Sequence, residues 1–219
     1  MTVSPTNGGV GESRPRVVQA RAKATRLQIL LQAEIAFAEN GFDGASLTAD
    51  ILDPAGVSVG SFYHQFEKKR EVLFTLLEWR LEERRAGATQ ALDTSEPTLG
   101  AMLLAALLAF FDDIDRHPNT WAIQFRELQS PDLEIRAAMI GDRQKWEDTA
   151  AQMLERFAGV SSSPDLRSVA HVATICLNSV LREYSAAGDE QRVGFRERVL
   201  QPAVELCVGG AERILGVPL

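Results

Sequence analysis

Residues 55–70 gather groups that bind rather than react: the hydroxyls of Ser58 and Ser61, the phenol of Tyr63, the imidazole of His64, then three cations in a row, Lys68, Lys69 and Arg70. Short hydroxyl, phenol and cationic donors of this kind hold phosphate oxygens. Chemistry of other kinds finds no such concentration. None of the three histidines has a Glu three residues before it, so the Glu-x-x-His pairs of a di-iron bundle are missing. There is no G-x-G-x-x-G, P-loop or nucleophile elbow. Asp112, Asp113 and Asp115 form the one acidic cluster with metal-like density; Asp112 and Asp115 share a helical face, which reads first as a solvated helix end. Cys176 and Cys207 form neither a disulfide framework nor a CxxC site. No catalytic residue, metal or cofactor is assigned, and an enzyme is not expected.

The donors need a short helix that protrudes. Thr48 can cap a helix over about 48–55, Gly56 breaks it, and Ser58 can cap a second over about 59–64. Two short helices joined by a glycine-containing turn form a helix-turn-helix unit. Its second helix can enter a major groove about 12 Å wide. Upstream, Ile29, Leu30, Ala33 and Phe37 recur at helical spacing until Asn40-Gly41 stops the helix. Downstream, Val72, Leu73, Leu76, Leu77 and Leu81 mark one face of a long helix over about 68–88. A linker follows at 94–98. Further helices are expected over 99–116, 120–129, 132–157, 165–187 and 193–215, with His117-Pro118, Ser130-Pro131 and residues 161–164 and 187–189 between them. No stretch alternates long enough for a strand. The expected fold is all-α, with about nine helices.

At these residues the chain resembles the TetR family of one-component bacterial regulators. The run AGVSVGSFYHQFEKKREVL (55–73) is similar to that family's signature, and TRLQILLQAEIAFAENGF (25–42) to its first helix; the likeness covers about 21–75. The resemblance implies that Tyr63 and Lys69 contact phosphate, and that Phe66 and Gly56 are structural. It implies that Ser58, Val59, Ser61 and Phe62 occupy positions that set sequence choice. Arg21, Lys23 and Arg26 would form a basic arm reaching the backbone or a minor groove; His64 would meet the DNA backbone, and Thr48 a phosphate. Three departures stand out. Val59 replaces a frequent lysine, the interval 41–51 is one residue longer than usual around Thr48-Ala49-Asp50, and Pro54 falls inside the second helix.

The rest of the chain has no comparable motif. Residues 99–111 are apolar nearly all round. Trp121, Phe125, Trp146, Met153 and Phe157 could line an apolar ligand site or be ordinary core. His171, Asn178 and Arg182 could orient a ligand or make core and interface contacts. Val169, Ala173, Cys176, Val180 and Tyr184 form one stripe, and Phe195, Val199, Ala203, Leu206, Gly210 and Ile214 another. Paired across a twofold they would give a four-helix dimer seam; a monomer with both stripes in its own core is the alternative.

The expected organisation is a disordered tail (1–15), a DNA-binding domain (16–67) and an effector-binding and dimerisation domain (68–219). The formal charge of −7 on 219 residues argues against a nucleic-acid partner only as a total. Residues 1–75 carry eight basic and eight acidic groups, and residues 76–219 carry 15 and 22. Positive charge is gathered at 14–26 and 68–70, so one end should meet DNA. The longest apolar run, 101–111, is about half a bilayer span, and residues 1–12 lack a signal-peptide core. The expectation is a cytoplasmic homodimeric regulator, a repressor of double-stranded DNA sites released by a small apolar or amphipathic effector. The alternative is a helical ligand-binding or protein-interaction module with weakened or lost DNA binding.

Overall fold

The computed structural model describes residues 13–159 and 163–218. The expected tail lies outside these residues except for 13–15, which already belong to the first helix. Nine α-helices, one π-helical segment and no strand occur among the described residues. The chain forms two compact units, Met1–Leu77 and Glu78–Leu219. The division falls inside a long helix, further along than the expected boundary at 67/68.

In the first unit Ile29, Ala33 and Phe37 of α1 (Ser13–Gly44) are buried, as are Ile51, Leu52, Phe62 and Phe66, and α1 packs on the segment that holds Ile51 and Leu52. The stop read at Asn40-Gly41 is a real break. Gly41 leaves the helix at φ 73 and ψ 170, where a side chain would be strained. After Ser46 comes a π-helical segment (Leu47–Leu52), then α2 (Asp53–Ala55), a left-handed Gly56, and α3 (Val59–Tyr63) capped by Ser58.

The π-helical segment and the short helix after it account for two of the three departures. A π turn holds one more residue than an α turn, so the extra residue near Thr48-Ala49-Asp50 is absorbed without moving Ile51 and Leu52 out of the core. The N–H of Asp53 bonds to the carbonyl of Thr48, and that of Val57 to Leu52 at 3.0 Å, both five residues back. Pro54 follows this segment, in the first turn of the short α2, a position where a helix tolerates a residue without an N–H. The cap also differs from the expectation. Ser46, not Thr48, is the N-cap: its Oγ accepts from Ala49 N–H at 3.2 Å, and Asp50 Oδ2 accepts from its N–H at 2.7 Å.

The second unit begins within α4 (Lys69–Thr94) and continues through α5 (Leu99–Arg116), α6 (Pro118–Glu127), α7 (Leu133–Ala158), α8 (Pro164–Ala186) and α9 (Asp189–Leu215). The apolar α5 is central, as its sequence demands. Leu107, Phe111 and Ile114 pack with Trp121, Leu181, Tyr184 and Val204, while Leu99 joins Leu154, Leu166, Ala170 and Ala211. Thr98, Asp132 and Ser163 cap α5, α7 and α8 with side-chain bonds. The acidic end of α5 is more than a solvated helix end. Arg196 Nη1 donates to Asp112 at 2.8 Å and its Nη2 to Asp115 at 2.6 Å; Arg192 and the Tyr184 phenol donate to Asp115 as well. Burial and the Asp115 carboxylate hold the Tyr184 phenol above its ordinary pKa, against the lowering pull of Arg196.

Deleting Ala49 would restore an α turn and place Pro54 in a regular helical ladder. That deletion is expected to lower unfolding stability by about 3 kcal/mol. Adding Pro54→Ala to it should recover most of the loss in thermal or urea unfolding; equal instability of both variants would contradict the role given to the π turn.

Candidate functional site

The outward side of the first unit carries most of the expected nucleic-acid residues. Tyr63 is 60% exposed and Val59 48%; Thr48, Ser58 and His64 are also exposed. Arg21 and Lys23 are exposed on α1. Ser58 has a second duty: its Oγ accepts from the N–H of Ser61 and donates to the Ser61 hydroxyl, fixing the start of α3. No acidic residue lies in the first turn of α3.

Three expected contact residues are engaged inside the unit. Phe62 is fully buried, stacked on Phe66 and edge-on to Tyr63, because a five-residue helix must turn one side to the core to be held at all. Arg26 is not a free arm. Its Nη1 donates to the carbonyl of Gln65 at 2.8 Å, its Nη2 lies 3.4 Å from Thr75 Oγ1, and its guanidinium covers the Phe66 ring at 4.1 Å. Lys69 donates from Nζ to the carbonyls of Phe42 and Ala45 at 2.6 and 2.8 Å and lies over the Phe42 ring. These carbonyls follow the break at Gly41, where the helix leaves acceptors without intrahelical donors. Burial pulls the Lys69 ammonium below its ordinary pKa, against the raising pull of Asp43 and Asp50. Both cations thus clamp the ends of the short-helix pair to α1 and α4.

The second unit contains a cavity of about 370 Å³, within the range of ligand sites. Trp121, Phe125, Trp146, Met153 and Asn178 all line it, as does Arg182. His171 does not. Its side chain is on the surface of α8, with Nδ1 3.1 Å from Glu147 Oε2. The sequence reading missed the polar floor. Arg84 of α4 donates from Nε to Asp113 Oδ2 at 2.9 Å, and Trp121 Nε1 donates to the same oxygen at 2.8 Å. Arg84 Nη1 donates to Gln124 Oε1, Gln124 Nε2 to Asp142, and Arg85 Nη1 reaches Asp142 at 3.3 Å. The Arg84 guanidinium lies 3.6 Å from the centre of the Trp121 ring. Burial lowers its pKa, with Asp113 acting in the opposite direction. One chain of charge-assisted bonds therefore joins α4, α5, α6 and α7.

The expected dimer stripes divide. Val169 and Tyr184 are buried, and Val180, Phe195 and Ala203 pack on the protomer's own core, because α8 and α9 both turn those faces to α5. Cys176 and Leu206 remain outside, Ala173, Val199 and Gly210 are half-buried, and the exposed apolar side chains beside them are Val172, Ile175 and Ile214. Both cysteines are free thiols; burial pushes Cys207 up to about 11.

Residues 29–76 match the family described as bacterial regulatory proteins, tetR family. KstR2 of Mycobacterium tuberculosis, an HTH-type transcriptional repressor, is 31% identical over 143 residues, spanning 63% of this chain and 70% of KstR2. The chain belongs to the TetR family. FasR of Mycolicibacterium smegmatis, an HTH-type transcriptional activator, is 26% identical over 157 residues, covering 69% of this chain and 71% of FasR. The fold recurs in FadR of Bacillus subtilis, solved in complex with stearoyl-CoA, at a TM-score of 0.70 and 19% identity over 84% of this chain and 98% of that one. The protein is thus a helix-turn-helix DNA-binding transcriptional regulator. Among the described residues no helix is long and apolar enough to cross a membrane.

Lys69 stands where the family signature has a lysine, and in the DNA-free chain its acceptors are two backbone carbonyls. Tyr63→Phe is expected to weaken DNA binding by about tenfold across sequences while leaving the unfolding midpoint unchanged. Lys69→Met should instead lower stability by about 1–3 kcal/mol through the two stranded carbonyls. A Lys69→Met protein of unchanged stability, altered only in DNA affinity, would reverse the assignment.

Proposed function

We propose that the protein is a homodimeric repressor that places two α3 helices in successive major grooves of a pseudo-palindromic site and is released when an apolar or amphipathic effector enters the inner cavity. The observation that carries this reading is that α4 contributes at both ends. It begins at Lys69, which clamps the short-helix pair, and it supplies Arg84, Ala88 and Leu92 to the cavity wall. Occupancy would favour one setting of that helix, and operator DNA another. Tyr63, Thr48, His64, Arg21 and Lys23 are assigned to the phosphate backbone, and Val59 and Ser61 to the base edges. Val59 suits a thymine methyl. Repression is preferred to activation because KstR2, named a repressor, is the more identical of the two relatives described.

The accommodation of the extra residue in the π turn and of Pro54 in the first turn of α2 supports this reading over a chain with lost DNA binding. The outward apolar side chains of α8 and α9 are assigned to a twofold seam of four helices.

Selection of binding sites from random DNA tests the first part. An inverted repeat with half-sites about 10 bp apart, or a multiple of that, is expected; no enriched sequence, or a lone half-site, would refute the dimeric reading. For the seam, Ile175→Asp with Leu206→Asp should give a folded monomer by light scattering, because both side chains are exposed in the protomer. A variant that stays dimeric would place the interface elsewhere.

A further inference from the structure

The two thiols of the second unit stand on one stretch of one helix pair. α8 and α9 pack together, and their anchors in the core show that they run antiparallel: Leu181 and Val204 share one cluster, Ala170 and Ala211 the other. Cys176 lies between the two anchors of α8, and Cys207 between those of α9. Counting about 1.5 Å per residue from either pair of anchors leaves the two cysteines within about 3 Å of one level. Each also stands one residue before a side chain that packs on the core, Leu177 and Val208. In antiparallel neighbours that shared offset, about 100° around each helix, turns the two side chains either toward each other or apart. They are turned toward each other: the Cys207 thiol, pushed up to about 11 mainly by burial, is raised further by Cys176 beside it.

The two sulfurs are unequal. Cys176 is exposed in the protomer, whereas Cys207 is half-buried. A half-buried thiol held in its protonated form reacts slowly with an oxidant from solution, and an exposed one meets it first. Cys176 also belongs to the outward side of the helix pair, with Val172, Ile175 and Leu206, which is the side assigned to the twofold seam. Association through that seam would cover the reactive sulfur, and dissociation would uncover it.

We propose that Cys176 and Cys207 form a dithiol site that a hydroperoxide closes to a disulfide within one protomer, and that closure takes place on the protomer freed from the seam, diverting it from the dimer that binds the operator. The second half rests on the seam reading; the first does not. The Cys176 sulfur attacks one peroxide oxygen. The S–O bond forms, the O–O bond breaks, and the thiol proton leaves with the departing oxygen as water or alcohol, which makes Cys176 a sulfenic acid. The Cys207 sulfur then attacks the Cys176 sulfur. The S–S bond forms, the S–O bond breaks, and the hydroxyl leaves as water with the Cys207 proton. The two sulfurs give up two electrons, which the peroxide oxygens take. A dithiol reductant reverses the reaction by exchange.

The test treats the full-length protein with hydrogen peroxide and reads its intact mass. The wild type is expected to lose two hydrogens, to run as a single chain on a non-reducing gel, and to regain both thiols in dithiothreitol. Cys207→Ala should stop at a Cys176 sulfenic acid that dimedone labels, and Cys176→Ser should react at least about tenfold more slowly. A covalently linked pair of chains, a wild type whose thiols stay free, or Cys176 carried to sulfinic acid beside a free Cys207 would overturn the internal disulfide. For the second half, closure is timed over protein concentrations across which light scattering follows dimer dissociation, with and without the selected operator. Closure should slow at least about tenfold where the operator-bound dimer predominates. Equal rates across a range in which the dimer dissociates would overturn that half and place Cys176 outside the seam. A protein monomeric throughout would overturn the seam reading and the second half with it, while the mass measurement still decides the first.

Discussion

A guanidinium taken out of water must be surrounded by acceptors, and in the effector unit that requirement falls on Arg84. Its bond to Asp113 fixes α4 against α5. Trp121, donating to the same carboxylate and lying under the guanidinium, fixes α6, and the link through Gln124 to Asp142 brings in α7. Removing one partner would strand a buried charge, which is far more costly than the net worth of the pair. Four of the helices that line the cavity, α4 to α7, are therefore tied together through one side chain, which belongs to the helix leading from the DNA-binding unit, while α8 lines it without joining this network.

The first unit uses cations in the same way on a smaller scale. Arg26 and Lys69 each donate to backbone carbonyls and cover an aromatic ring, so positive charge near the short-helix pair is divided between holding it and facing outward. The exposed set that remains, Tyr63, Val59, Thr48, His64, Arg21 and Lys23, depends on the engaged set for its position. The π turn serves the same end. It takes up an extra residue, and the proline falls where α2 begins, so that Ile51 and Leu52 stay buried and α3 starts at Ser58.

Helix positions were legible from apolar spacing and caps: α5 matches its expected bounds, and α3 starts behind the expected Ser58 cap. Five of the aromatic and polar side chains expected at a ligand site do meet around one cavity, because bulky groups on successive helices converge inward. What sequence could not separate was partner from orientation. Arg26, Lys69 and Phe62 have the right types for DNA contact, yet short helices need anchors, and these three supply them. Arg84 was overlooked because an arginine among Glu82, Glu83 and Arg85 reads as a solvated face; the signal available was its position two turns beyond Leu77, on the apolar side of α4. On α8 and α9 the apolar stripes serve two ends that spacing alone does not separate: Val180, Tyr184, Phe195 and Ala203 pack on the protomer's own core, while Cys176, Leu206 and Ile214 stay exposed.

The proposed mechanism stands on linkage between cavity and operator, and linkage is reciprocal. The most direct measurement is the affinity of one probe, an apolar or amphipathic compound selected by thermal shift, for the free protein and for the protein saturated with its selected operator. The account expects the probe to bind the operator complex more weakly, by the same factor by which the probe weakens operator binding, on the order of 5–150-fold. Equal probe affinity with and without operator would contradict it.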